Sequence, residues 1–223
     1  MKIKGNVALI VLAIITGILV IVSFALFLKK DETVTLPITF IEYADFECPA
    51  CGYYYPMVQQ AVQKYTTDNL VYEYKHFPLT SIHPYAYNAA LASEAARAQG
   101  KFEEYAQLLF AKNRDFSSGV ISNQDYLSDN NLIQFALDLN LNKDKFVQDM
   151  SGTIAKAKVD QDIADGDTFG VQHTPTFVIN GREFVLQNLD ASLTTEADIE
   201  QAVVKQFTDY IDSLLQKAAV AKK

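Results

Sequence analysis

Residues 5–28 form an apolar run without a charge, with Lys2 and Lys4 before it and Lys29 and Lys30 after it. As a helix rising about 1.5 Å per residue, such a run crosses a hydrocarbon core of about 30 Å. A cleaved signal peptide has a shorter apolar core, of about 7–15 residues, closed by a small-x-small site. Ser23-Phe24-Ala25 is a weak site of that kind, because strongly apolar residues continue past it. The pattern predicts an uncleaved transmembrane anchor over residues 1–30 and a polar tether over 31–35. Lysines flank the run equally, so only the N-terminal amine favours a cytoplasmic N-terminus.

Beyond the tether, residues 36–44 (LPITFIEYA) are apolar on both faces, the pattern of a buried central strand. Cys48-Pro49 then opens a helix, proline being favoured at the first helical position. Pro56 falls inside that helix and is expected to kink it. Residues 70–77 (LVYEYKHF) form a second strand by their β-branched and aromatic content. From about 84 to 165 the chain is helical, in amphipathic stretches over 84–99, 102–113, 131–139 and 143–165, the last interrupted near Gly152. A strand returns at 176–179, Asn180-Gly181 is a hairpin turn signal, and 183–186 is the return strand. Ile199, Val203, Phe207, Ile211 and Leu214 recur at helical spacing in a final helix, with Thr195 and Asp198 placed to cap it. The order is βα-β, a helical insertion, then ββα.

Charge narrows the partners. All 27 acidic residues follow Lys30, and four of the 19 basic ones precede Asp31, so the remainder carries a formal charge of −12. That disfavours nucleic acid and anionic lipid. The chain has two cysteines, both in Cys48-Pro49-Ala50-Cys51. A ring this small is a poor staple, worth about 2 kcal/mol on the chain-entropy model. Redox exchange or half of a metal site are the remaining uses. Zinc needs about four ligands, and three scattered histidines do not supply them, so no metal and no cofactor beyond the cysteine pair is expected. At the N-cap of its helix Cys48 meets unpaired N–H groups and the positive end of the helix dipole, which favour a thiolate. Cys51, one turn further in, is the more buried, resolving thiol. Glu42, inside the first strand, is either a core carboxyl with a raised pKa that trades a proton with Cys51 or a solvated acid at a strand end. His173-Thr174-Pro175 precedes the returning strand as either an ordinary turn or a cis-proline turn presenting backbone to a substrate beside the cysteines.

Taken together, Ile41-Glu42-Tyr43, Phe46 to Cys51, Pro56, Lys75 to Leu79, His83-Pro84 before an alanine-rich helix, and Gly170-Val171 to Gly181 resemble the thioredoxin superfamily. The resemblance is specifically to DsbA-like thiol:disulfide oxidoreductases anchored outside bacterial membranes, and it spans about 36–220. It implies an α/β thioredoxin fold, a central mixed sheet flanked by helices, with the helical insertion and the anchor as additions. It makes Cys48 the nucleophile, Cys51 the buried thiol, Glu42 the proton-handling acid, and Thr174-Pro175 the substrate-facing cis-proline turn. It also implies exported polypeptides as substrates, an extracytoplasmic catalytic domain, and a quinone-linked membrane redox partner. A monomer is expected. Reductases, isomerases and non-catalytic peptide-binding modules are the competing readings.

Two departures from the family pattern matter. Pro49-Ala50 stands where strongly oxidising relatives have Pro-His, which removes an imidazole near the thiolate. His173 precedes Thr174 where many relatives carry a small residue, so it is either a substitute that tunes the pKa of Cys48 or a solvated loop histidine. His76 and His83 are read as structural, and no site is assigned to Tyr53, Tyr54 and Tyr55.

Overall fold

A computed structural model of the chain describes residues 34–122 and 125–221. The expected anchor and most of the tether lie outside these residues. Among the described residues no helix is long and apolar enough to cross a membrane.

Four strands, β1 (Ile38–Ala44), β2 (Leu70–His76), β3 (Thr176–Ile179) and β4 (Arg182–Phe184), form one mixed sheet in the order β2-β1-β3-β4. β1 pairs in parallel with β2 and antiparallel with β3, while β3 and β4 form an antiparallel hairpin. Seven helices complete the fold among the described residues: α1 (Pro49–Val62), α2 (Ala86–Arg97), α3 (Phe102–Ser117), α4 (Asp129–Asp138), α5 (Lys143–Met150), α6 (Thr153–Phe169) and α7 (Glu196–Ala221). This is the thioredoxin arrangement, with a run of helices inserted between β2 and β3.

Strand β1 starts two residues later than its hydrophobic pattern suggests. Pro37 has no N–H to give to a ladder, and Ile38 makes the first bond, to the Asn69 carbonyl at 2.9 Å. Strand β4 ends at Phe184, because the Gln187 N–H is taken up by the Gln206 side chain of α7 at 2.7 Å. The turn between β3 and β4 has Asn180 and Gly181 both at positive φ, 52° and 78°, the geometry that an Asn-Gly hairpin turn requires. Helix α6 runs four residues past the expected end of the insertion and stops at Gly170, whose φ is 93°. Pro56 lies within α1, which continues unbroken to Val62.

The two faces of β1 do different work. Ile38, Phe40, Glu42 and Ala44 point to one face and are buried, as the period of two demands. Phe40 there packs against Phe207 of α7 and Tyr72 of β2. Tyr43 on the opposite face joins Phe77, Val171 and Val178, and Gly166 of α6 comes so close that a Cβ would lie 2.6 Å from the Phe77 ring. The insertion contributes its own aromatic core, in which Phe110 of α3 meets Phe46 and Tyr55. The Thr195 hydroxyl accepts from the Asp198 N–H at 3.1 Å and so caps α7.

Candidate active site

Cys48 is the N-cap of α1, extended at φ −72° and ψ 121°, with Pro49 behind it in the first turn. The two cysteines are free thiols. Cys48 is 7% exposed and Cys51 is fully buried, the order expected from their helical positions. The Cys48 thiol is pulled down to about 6, first by a hydrogen bond from the Cys51 thiol. Burial opposes this, and Thr174 together with the backbone N–H groups of Cys51 and Ala50 reinforces it. Cys51 moves the other way, to well above 9, because burial penalises its charge and the neighbouring Cys48 adds to the penalty. The Asp45 N–H reaches Cys51 Sγ at 3.5 Å.

Long-range folding brings Thr174 to the pair. Its carbonyl accepts from Cys48 Sγ at 3.3 Å across 126 residues of sequence, and the Thr174-Pro175 bond is cis. The Thr174 hydroxyl is buried and has no hydrogen-bond partner while Cys48 is a thiol. Its side chain is nonetheless one of the groups that lower Cys48. The next residue but one, Thr176, donates its hydroxyl to the His173 carbonyl at 2.7 Å and fixes the turn. His173 itself is exposed, with ring Nδ1 3.3 Å from the Thr176 hydroxyl.

Glu42 settles on the core side of β1, fully buried. Burial lifts its carboxyl to about 7, against the pull of the Tyr72 hydroxyl, which donates to Oε2 at 2.6 Å. Its charge reaches Cys51 and contributes to the raised pKa of that thiol. A carboxyl that titrates near neutrality beneath a thiol that resists ionisation can accept or supply the proton that ring opening and closing require.

Two polar contributions beside the pair are not legible in the sequence. Asp45 is buried, yet Oδ1 accepts from the Glu47 N–H at 2.7 Å, and Oδ2 accepts from the Leu79 N–H at 2.8 Å. Oδ2 also lies 2.7 Å from His83 Nδ1. That contact raises the His83 pKa, and the Cys48 charge raises it further. His83, 35 positions along the chain from Cys48, is thus held by Asp45, whose own N–H reaches Cys51. His76, by contrast, is a core residue, with Nε2 2.8 Å from Glu94 Oε1. Among the described residues no group of three or more His, Cys, Asp or Glu side chains is placed to hold a metal ion.

The thioredoxin family profile matches residues 36–213. The DsbA1 α-type protein of Wolbachia pipientis superposes with a TM-score of 0.60 at 27% identity, over 84% of this chain and 90% of that one. DsbA of Xylella fastidiosa superposes with a TM-score of 0.61 at 19% identity, over 83% and 89%. BdbD of Bacillus subtilis does so with a TM-score of 0.56 at 18% identity, over 80% and 90%. Among curated sequences, a Salinispora tropica protein named Na(+)/H(+) antiporter NhaA 3 is 40% identical over 146 residues, which are 66% of this chain and 20% of that protein. The match to Na(+)/H(+) antiporter NhaA 1 of Salinispora arenicola is 36% over 163 residues, 71% of this chain and 23% of that protein. The chain thus spans about a fifth of the length of these curated relatives. From the family match over most of its length, the chain belongs to the thioredoxin family, with a DsbA-like fold and its two cysteines paired at the start of α1.

Proposed function

We propose that this protein is a thiol:disulfide oxidase that works outside the cytoplasm and passes a Cys48–Cys51 disulfide to exported polypeptides. The observation that carries the reading is the placement of the pair, Cys48 at the N-cap of α1 with its sulfur 3.3 Å from the Thr174 carbonyl and Cys51 fully buried one turn on, which lowers the first thiol to about 6 and raises the second. A stabilised Cys48 thiolate favours the reduced pair, and so makes the disulfide a donor. In the forward step a substrate thiolate attacks Cys48 Sγ and the Cys48–Cys51 bond breaks. Cys51 leaves with the electron pair and takes a proton from Glu42. A second substrate thiolate then attacks the substrate sulfur of the mixed disulfide, and Cys48 leaves as the stabilised thiolate. The substrate loses two electrons and the cysteine pair gains them. Thr174 and Pro175 border the attacked sulfur, where the Thr174 backbone is in reach of an extended chain.

In this reading the apolar run at 5–28 anchors the domain in the membrane, the domain acts as a monomer, and a quinone-linked membrane protein restores the disulfide. The redox pair is the only cofactor. Incubating the oxidised full-length chain with a reduced, unfolded protein and counting free thiols tests it. The expected result is loss of two substrate thiols per chain and no loss with Cys48→Ala, whereas a wild-type chain that transfers nothing would refute the reading. A reductase role is favoured by one observation. Pro49-Ala50 contributes no imidazole, and a Cys48 at about 6 lies above the value of about 3.5 found in a strong oxidant. The same incubation with reduced chain and a disulfide-bonded substrate measures that direction.

A further inference from the structure

Asp45 follows the last residue of β1 and begins the turn that carries Cys48. It is 2% exposed, and each of its four polar atoms is engaged around the redox pair. Its carbonyl accepts from the Cys48 N–H at 3.1 Å, which closes a turn over 45–48, and Oδ1 accepts from the Glu47 N–H at 2.7 Å. An aspartate opening such a turn fixes the backbone two residues on. Its own N–H is directed at Cys51 Sγ, 3.5 Å away. Oδ2 reaches out of the turn, to the Leu79 N–H at 2.8 Å and to His83 Nδ1 at 2.7 Å.

A buried carboxylate is costly unless donors surround it, and a fully satisfied polar network is rigid. Two of the donors on Asp45 come from the segment 79–83. That segment is folded on itself by bonds from the Ile82 and His83 N–H groups to the Leu79 carbonyl, at 3.0 and 2.9 Å. The Tyr85 N–H adds a tie from the same side, to Glu47 Oε2 at 2.7 Å. The chain after β2 thus grips the redox turn at Asp45 and at Glu47. His83, with its side chain 15% exposed, is the outer end of the network. At the inner end is the Asp45 N–H, against a sulfur that is fully buried. Exchange is faster the more stable the leaving thiolate is, and a fixed donor aimed where charge develops counts most in a dry site. The Asp45 N–H does lower the Cys51 thiol, against the effect of burial.

We infer that the Asp45 main-chain N–H is the donor that receives the leaving Cys51 thiolate, and that the Asp45 carboxyl and His83 are positioning groups that aim it. The inference rests on the exchange chemistry proposed above and assigns the group that stabilises its leaving sulfur. In that step the bond between the substrate sulfur and Cys48 forms and the Cys48–Cys51 bond breaks. The electron pair goes to Cys51 Sγ, where the Asp45 N–H holds it until a proton neutralises it. The N–H is neither transferred nor consumed. The charged groups facing His83 are Asp45, Glu47 and Cys48, all on the redox turn.

The test is the rate of disulfide opening by dithiothreitol at pH 7 in the oxidised full-length chain, with the Cys48 titration measured alongside. The proteins are the wild type, Asp45→Asn, His83→Ala and His83→Asn. An amide cannot accept on both sides, so Asp45→Asn is expected to slow opening about tenfold, the loss of part of a hydrogen bond to a charge. His83→Ala removes one grip and is expected to slow it about threefold. His83→Asn keeps a side-chain donor near the place of Nδ1 without the charge. It is expected to restore most of the rate, while its Cys48 midpoint stays as high as in His83→Ala. A purely structural pair would lower stability and leave the rate of the folded protein alone. Folded Asp45→Asn and His83→Ala opening at the wild-type rate overturn the inference and leave the exchange reading intact. If Asp45→Asn fails to fold, the His83 variants decide. Equal rates in all three proteins overturn the aiming role, and so does His83→Asn as slow as His83→Ala, which would assign the loss to charge. A wild-type disulfide that does not open at all overturns both readings.

Discussion

Replacing Thr174 with valine tests whether its hydroxyl serves the Cys48 thiolate. The side chains are nearly isosteric, and the carbonyl that accepts from Cys48 Sγ stays in place. A hydrogen bond to a charged group is worth about 1.5–3 kcal/mol, or about one to two pKa units. Cys48 is therefore expected to rise from about 6 to about 7–8. The redox consequence is smaller. At pH 7 the lowered thiol stabilises the reduced pair by about 1.4 kcal/mol over an ordinary thiol, or about 30 mV for a two-electron couple. The variant loses about 20–30 mV of oxidising power at pH 7, the upper figure being a ceiling because water at the rim of the site screens the charge. The sign follows from the depressed pKa: stabilisation of the reduced form is present above the ordinary thiol value of 9, shrinks below it, and is gone once pH falls through about 6. Thiolate absorbance against pH gives the titration, and glutathione equilibration at pH 5 and pH 7 gives the potentials. An unmoved titration, or a gap between the two proteins as large at pH 5 as at pH 7, would refute the assignment of the hydroxyl to the thiolate.

Other substitutions probe the supporting groups. Burial raises Glu42 to about 7 from 4.5, so the folded state is penalised as pH rises through that interval. Glu42→Gln is expected to stabilise the domain by up to about 3 kcal/mol at pH 8 and by nothing below pH 4, as denaturant unfolding at the two pH values would read. His83 has a raised pKa because Asp45 holds its proton. The stability it contributes is complete below its ordinary value of 6.5 and is lost as pH rises through the folded value. His83→Ala is therefore expected to cost more at pH 6 than at pH 9, and also to raise the Cys48 titration. At Gly52 a Cβ would stand 2.2 Å from Asn113 Oδ1, and Asn113 is pinned by bonds to the Phe46 carbonyl and the Tyr126 hydroxyl. Gly52→Ala is expected to cost about 1–3 kcal/mol by overpacking and to slow exchange at the adjacent Cys51, checked by unfolding and by the dithiothreitol assay.

What the sequence disclosed was local. Pro49 after Cys48 marked the helix start and Asn180-Gly181 marked the hairpin, whereas a strand apolar on both faces left the side taken by Glu42 open until the structure buried it. Partnerships set by tertiary register were out of reach. Alternation places Tyr72 and Tyr74 on one face of β2, but only the pairing of Glu42 with Tyr74 brings the Tyr72 hydroxyl to Glu42. Asp45 drew no attention in the sequence, because its histidine lies 38 residues away in a loop. His173, next to Thr174, was the candidate imidazole in the sequence, and it stands exposed on its turn, while His83 comes to Asp45 from a loop 38 residues away.

The reduction potential of the Cys48–Cys51 pair, measured in the full-length protein against glutathione buffers at pH 7, bears most directly on the claim that the disulfide is a donor. A thiol at about 6, compared with about 7 in thioredoxin, shifts the couple by about 20 mV from the thioredoxin value of about −270 mV. The strong oxidant with a thiol near 3.5 reaches about −120 mV. A value between about −250 and −120 mV is expected, well above the roughly −300 mV of structural disulfides in secreted proteins, so that transfer to substrates runs downhill. A value at or below about −270 mV would contradict the stabilised thiolate and turn the assignment to a reductase.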